Sequence, residues 1–208
     1  MSKKYGDGKG FFVWFDTEYS DLKLEKAHLL QVAALVTDAS LRRVLPAGED
    51  VILAIRLPIE IQPSPWVEEN LSELLRLCRS PDAVDLADAD QRLADYVDKA
   101  AGTITQQQDQ RPVLAGNSIH ADWWLVRRFL PQFLSRLHYR HLDVTTFKLE
   151  WQRLNQDIEF DKENSESIRQ YFPEAVLPVA GNRHDAYYDL QASLSELAFY
   201  RAHLLQNF

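Results

Sequence analysis

The sequence predicts an α/β domain, a sheet with helices packed over it, and three observations lead there. Three apolar, β-branched runs come early, at residues 11–15, 28–37 and 50–57. Beyond Trp66 the apolar spacing switches to the helical period. Two further strand-like runs, 112–115 and 139–144, then alternate with helical segments, the order expected of a sheet covered by helices. At 208 residues the chain holds one domain with a sizeable core. Residues 1–10 are expected to be a disordered N-terminal tail and residues 11–208 a single domain.

Taken in order, FFVWF (11–15) is apolar throughout, as a central strand buried on both faces is. HLLQVAALVT (28–37) and DVILAIRL (50–57) are the second and third strands, and Pro58, Pro63 and Pro65 break the chain after them. Leu71, Leu74, Leu75 and Cys78 form one apolar helical stripe, repeated over residues 88–101 by Leu93, Tyr96, Val97 and Ala100. TITQQQDQR (103–111) is a polar loop. PVLA (112–115) is a strand ending at Gly116, residues 121–130 a helix stopped by Pro131, and residues 139–144 a fifth strand. A helix over 145–154, a charged loop and a short helix follow. The last helix begins near His184, with Leu190, Leu194, Leu197, Arg201 and Leu204 close to one face.

Composition excludes several classes. The 46% hydrophobic and 26% charged shares are those of an ordinary globular protein. A lone cysteine, Cys78, rules out an internal disulfide and a cysteine-built zinc site, and its apolar setting marks a buried packing thiol. No run approaches the roughly 18–20 apolar residues of a membrane span, and the polar N-terminus lacks a signal peptide's apolar core. A cytoplasmic location is the expectation. The net charge of −8 lacks the basic excess of proteins that grip long nucleic acid. Either polynucleotides are not bound, or very short ones are, in a pocket where a few basic groups and metal ions suffice.

Three acidic signatures lie in order: Asp16-Thr17-Glu18, then Gly116-Asn117-Ser118 with Asp122, then His184 with Asp189. Asp16 and Glu18, two apart on a strand, point to the same side, near a strand end, where α/β sheets collect their sites. Alone, they are equally two solvated acids. Asn117 or Ser118 alone would cap the next helix, with Asp122 in its first turn favouring the positive end. His184 and Asp189, five apart, lie about 140° apart on a helix, and share a face only if His184 precedes it. Asp185 and Asp189 would share one, so spacing leaves the acid open. Together the signatures say more, because crowded carboxylates call for a cation and hard divalent ions prefer carboxylate oxygens. Such ions with a histidine beside them suit phosphodiester hydrolysis.

The chain resembles the DEDDh group of 3′–5′ exonucleases and, within it, the oligoribonucleases. The resemblance rests on WFDTEYSDL (14–22), VAALVTD (32–38), AGNSIHAD (115–122), FLPQFLSRLHYRHLDVTTFK (129–148), HDAYYDL (184–190) and SELAFYR (195–201). It implies a ribonuclease-H-like fold, with a five-stranded mixed sheet flanked by helices. It also implies that Asp16, Glu18, Asp122 and Asp189 bind two magnesium or manganese ions, with His184 as general base. Leu22 matches a leucine that wedges between the bases of a dinucleotide, and Trp66 an aromatic residue near the substrate. Ser118, Tyr139 and Arg140 match a cap on the 5′ phosphate, the last two reaching over from a neighbouring subunit, so a homodimer is implied. Arg140 suits bidentate phosphate recognition. Three features depart from the family: Tyr19-Ser20-Asp21-Leu22 stands where it usually reads MTGL, His120 stands where it has a Gln between GNS and the acid, and its cap histidine has no counterpart near Asn70 and Leu71.

The implied activity is metal-dependent 3′–5′ hydrolysis of short oligoribonucleotides, down to dinucleotides, to 5′-mononucleotides. The alternatives are an enzyme of the same group acting on short DNA or RNA 3′ ends, and a catalytically silent nucleic-acid-binding module. Trp123 and Trp124 are read as packing at the core or the dimer contact, Arg127 and Arg128 as surface charges, and His138, His141 and His203 as structural.

Overall fold

The apolar run near the N-terminus folds into the central strand of a five-stranded sheet. This computed structural model describes residues 10–102, 108–154, 158–178 and 184–204; the expected tail, apart from Gly10, lies outside them. β1 (Phe12–Tyr19) pairs antiparallel with β2 (Leu29–Thr37) along its whole length, from Phe12↔Thr37 to Tyr19↔Leu29. That ladder, whose register shifts between Glu18 and Tyr19, carries β1 four residues past the apolar run, through Asp16 and Glu18. β3 (Val51–Ala54) adds antiparallel to the outside of β2. On the other side, β4 (Val113–Gly116) runs parallel to β1, and β5 (His141–Asp143) parallel to β4. The order β3-β2-β1-β4-β5 is the expected mixed sheet.

Two strands are shorter than the sequence suggested. β3 ends at Ala54, although Ile55 still donates its N–H to Leu30 O of β2 at 2.8 Å and also bridges Val84. β5 keeps three residues, and Tyr139 and Arg140 stay exposed in the loop ahead of it.

Eight helices are described: α1 (Pro65–Asn70), α2 (Ser72–Cys78), α3 (Leu86–Ala101), α4 (His120–Phe129), α5 (Pro131–Leu134), α6 (Val144–Leu154), α7 (Ser165–Tyr171) and α8 (Ala186–Leu204). Leu71 takes φ −118° and ψ 29°, which separates α1 from α2. α5 was not expected. Pro131 ends α4 but also opens a new turn, a position that suits its missing N–H. The N–H groups of Gln132 and Phe133 then donate to the Asp90 carboxylate of α3, at 2.9 and 2.8 Å.

Alternation along the strands sorts the core into two layers. Val13, Phe15, Val32, Ala34 and Val36 face Leu93, Leu125, Leu130 and Phe133 of α3, α4, α5 and the α4–α5 junction. Trp14, Ala33, Leu35 and Ala115 face Val144, Trp151, Leu190 and Leu194 of α6 and α8. α8 differs from the one-faced helix expected: from Ala186 to Tyr200 it is buried almost all round, enclosed by the sheet, α6 and α7. Its polar residues find partners there, as when Ser195 Oγ donates to Ile168 O at 2.9 Å. Cys78 is buried as expected, its thiol pushed up to about 11 by burial. Among the described residues, no helix is long and apolar enough to cross a membrane.

The mismatch in strand length is what makes room for chemistry. β4 pairs with β1 only from Phe12 to Trp14, so Asp16 and Glu18 extend past its end. Gly116 closes β4 so tightly that an added Cβ would lie 2.8 Å from the Phe15 carbonyl oxygen and 3.0 Å from Ile119 Cδ1. Gly116→Ala is therefore expected to destabilise the fold by about 1–3 kcal/mol, measured as a lower denaturant midpoint with an unchanged m-value. An unchanged midpoint would show that the β1–β4 contact yields freely.

Candidate active site

Asp16 and Glu18 occupy the face of β1 that Trp14 also occupies, the face covered by α8. Asp189, in the first turn of α8, meets them there: carboxylate oxygens of Asp16, Glu18 and Asp189 lie within 4.8 Å of one another. Thr17 turns to the opposite face and donates its hydroxyl to Asp122 Oδ1 at 2.7 Å. That bond docks the first turn of α4 beside the end of β1.

The two aspartates that spacing left open differ in place: Asp189 lies with Asp16 and Glu18, and Asp185 does not. Asp185 Oδ1 accepts from the N–H groups of Tyr187 and Tyr188, at 2.9 and 3.0 Å, which makes Asp185 the helix cap. Gln31 of β2 accepts the Ala186 N–H at 3.0 Å. Asp189, one turn on, faces the sheet. His184 precedes the helix in the left-handed region, at φ 61°, and meets the Trp66 ring edge-on with centroids 5.0 Å apart. Trp66 is held near by Ser64, whose N–H donates to Ser20 O at 2.8 Å.

Crowding marks the electrostatics. Burial, then Asp122, Asp189 and Glu18, pushes the Asp16 carboxyl well above the usual carboxylate range. Burial, then Asp189, Asp185 and Asp122, raises Glu18 to about 8. Asp122 rises to about 7 through burial, against the stabilising hydroxyl of Thr17. Asp189 is also raised by burial, while Lys162 and His184 pull it down. Lys162 is a feature that sequence reading missed. Its position between two helices carries no spacing signal, and the Tyr188 hydroxyl fixes its backbone by donating to Lys162 O at 2.9 Å.

The remaining candidates lie further out. Leu22 is 76% exposed in the loop after β1. Ser118 follows β4 at φ 49°, and its N–H donates to Asp143 Oδ1 and Thr145 Oγ1 at 3.0 and 2.8 Å. Neither Asn117 nor Ser118 caps α4: Asn117 Nδ2 instead donates to Ser193 Oγ and Glu196 Oε2. Tyr139 and Arg140 precede β5, whose first residue pairs with Leu114, whereas Ser118 touches the last residue of β5. They therefore leave the sheet at the end opposite the acidic cluster. His138 orders them, stacking on Tyr139 at 4.5 Å and accepting the Arg140 N–H at 2.8 Å.

In metal-free protein, native Glu18 and Asp122 keep their protons up to about 8 and 7, while the ordinary values are 4.5 and 3.8. The native state thus binds more protons than the unfolded chain across that window, so rising pH favours unfolding. The melting temperature of chelated protein is expected to fall between about pH 5 and 8, and Glu18→Gln to flatten the slope. A melting temperature that does not move over this window would contradict the crowding.

A family model described as Exonuclease (RNase_T) matches residues 13–197. The mitochondrial oligoribonuclease of Bos taurus is 30% identical over 201 residues, covering 93% of this chain and 73% of that one. The oligoribonuclease of Mycobacterium ulcerans is 31% identical over 196 residues, covering 91% and 79%. Among solved structures, exonuclease I from Methylocaldum szegediense superposes with a TM-score of 0.68 at 16% identity, covering 95% of this chain and 41% of that one. E. coli exonuclease I in complex with a dT13 oligonucleotide gives 0.65 at 14%, covering 96% and 43%. The chain spans less than half the length of these two structures, and the likeness is one of fold. With the acidic residues of three separate segments drawn to one end of β1 in this fold, the chain belongs to the exonuclease family and, within it, to the oligoribonucleases.

Proposed function

We propose that the chain is a 3′–5′ exoribonuclease that hydrolyses short oligoribonucleotides, down to dinucleotides, to 5′-mononucleotides. One observation carries the reading: three carboxylates from β1 and α8 share a 4.8 Å space, in a chain of an exonuclease family. The donor set fits hard divalent cations, since it is all carboxylate oxygen and is penalised by like charge when left alone. Asp16, Glu18, Asp122 and Asp189 would hold magnesium or manganese, two ions by the family pattern. When bound, such ions supply Lewis acidity and neutralise the charge that develops at phosphorus.

The chain's own residues do the rest. His184 takes the proton of the attacking water at a ring nitrogen as the new O–P bond forms. The P–O3′ bond breaks and O3′ takes a proton from solvent, to which His184 returns its own, leaving a 5′-mononucleotide and a shortened strand with a free 3′ hydroxyl. Leu22, exposed near the end of β1, parts the two terminal bases, and Trp66 shelters the His184 side of the site. Ser118 takes the 5′ phosphate from below. Tyr139 and Arg140 leave the sheet at its far end, so we assign their part of the phosphate cap to a second subunit of a homodimer. The proposal keeps the cytoplasmic setting, to which the reduced, buried Cys78 thiol is suited.

Turnover of 5′-labelled RNA and DNA oligomers of two to seven nucleotides, with Mg²⁺ or Mn²⁺, tests the substrate. Di- to tetraribonucleotides are expected to be cleaved fastest; equal or faster cleavage of the longer DNA overturns the short-RNA reading. Asp16→Ala should abolish turnover and melt no lower than the parent in chelator, and His184→Ala should lower kcat by about 10²–10⁴-fold. An Asp16→Ala variant that still degrades RNA removes the metal site.

Mixing addresses the shared cap. Asp16→Ala and Arg140→Ala subunits, each inactive or impaired alone, should regain dinucleotide cleavage when combined, because the mixed dimer holds one intact site. No recovery in a mixture shown to exchange subunits would place Arg140 in its own chain's site.

A further inference from the structure

Trp124 has no place in the mechanism above. It sits in α4 two residues after Asp122, about 200° round the helix, so Asp122 turns in toward β1 while Trp124 turns out, 38% exposed. With Leu22, Lys23, Leu24 and Glu25 it lines a depression of ≈ 520 Å³. The walls are fixed in place. The Arg128 guanidinium lies over the Trp124 ring at 5.4 Å and over Phe129 at 4.7 Å. The same guanidinium donates to the carbonyls of Leu24, Glu25 and Ala27 at 3.1, 2.9 and 3.2 Å. The loop that carries Leu22 is thereby bolted to the helix that carries Trp124. Ser20 closes that loop, accepting the His28 N–H on its hydroxyl at 2.9 Å. The Lys23 backbone is held by Asp21, while its ammonium forms no ion pair among the described residues.

An exposed indole and a cation beside an apolar wedge are the parts from which single-strand subsites are made: the ring stacks a base and the cation meets the backbone. We propose that this depression binds the nucleotide on the 5′ side of the pair parted by Leu22, with its base stacked on Trp124 and its phosphate near Lys23. Glu25 on the rim repels phosphate, so the base supplies most of the binding. The proposal rests on the exonuclease reading and refines its substrate: trinucleotides and longer oligomers gain a contact that dinucleotides lack. An occupant continuous with the substrate is favoured because Leu22 lines this depression as well as projecting at the site end of β1.

The readout is the ratio of kcat/KM for a triribonucleotide to that for a diribonucleotide. Trp124→Ala should lower this ratio by roughly five- to a hundredfold, mainly through the trinucleotide KM, and Trp124→Phe should restore most of it. A trinucleotide abasic at its 5′ position should lose a similar factor with the parent and almost nothing further with Trp124→Ala. A ratio unmoved by Trp124→Ala, or an abasic loss that persists undiminished in it, overturns the subsite. So does a dimer that dissociates on Trp124→Ala in sedimentation at assay concentration, because the indole then belongs to the subunit contact. A parent that cleaves neither substrate overturns the exonuclease reading and the subsite with it. A parent active on both, with an unmoved ratio, overturns the subsite alone.

Discussion

Like-charge crowding at the end of β1 that extends past β4 is the constraint on which the rest of the structure depends. Asp16, Glu18, Asp122 and Asp189 all have carboxyls pushed upward, with burial the leading cause in each. Left to relax, such groups would move apart or turn to water. They do not, because each is held by pairing or hydrogen bonds outside the cluster. The ladder to β2 holds Asp16 and Glu18, the Asp185 cap and Gln31 hold the start of α8, and the Thr17 hydroxyl holds Asp122. A fold that spends stability on one such site must recover it in the rest of its core.

α8 bears most of that load. Two buried polar networks pin it to the sheet on either side of Asp189. In one, Asn117 of the β4–α4 turn donates to Ser193 and Glu196, and Glu196 also accepts the Tyr200 hydroxyl at 2.7 Å. In the other, Arg43 and Asp50 form a buried ion pair, with side chains 6% and 1% exposed. The Tyr96 and Tyr187 hydroxyls complete it by donating to Asp50 at 3.0 and 2.7 Å. Removing one member of such a pair strands a charge and is strongly destabilising. The geometry shows why this matters for the site. A slip of one helical turn moves Asp189 by about 5.4 Å, more than the 4.8 Å across which the three carboxylates meet.

The physics of each element explains what was legible beforehand. Asp16 and Glu18 could be placed on one side of a strand because the period of two is enforced by the pleat. The choice between Asp185 and Asp189 was closed to spacing, since it turns on where α8 begins. That start is fixed by the left-handed His184 and the Asp185 cap, both local conformations rather than patterns. Thr17 and Asp122 lie 105 residues apart, and nothing in a linear reading joins a hydroxyl to a carboxylate over that distance. The break at Leu71 and the all-round burial of α8 came from tertiary packing overriding periodicity. The tryptophan pair did carry a signal that was missed. Neighbours on a helix point about 100° apart, so adjacent large rings cannot both bury against one surface; Trp123 packs on His141 and Trp124 faces out.

Net charge closes the argument about substrate size. With 23 basic and 31 acidic residues the chain lacks the cationic excess that usually holds a long strand, because Lys and Arg contacts to phosphate supply most non-specific affinity. Cationic side chains do lie near the acidic cluster and the Trp124 depression, Lys162 acting on Asp189 and Lys23 lining the depression. Beyond them affinity must come from surfaces indifferent to charge, and stacking is the interaction that meets that condition. An acidic exonuclease for very short strands therefore has reason to display an exposed indole such as Trp124, since stacking does not depend on net charge.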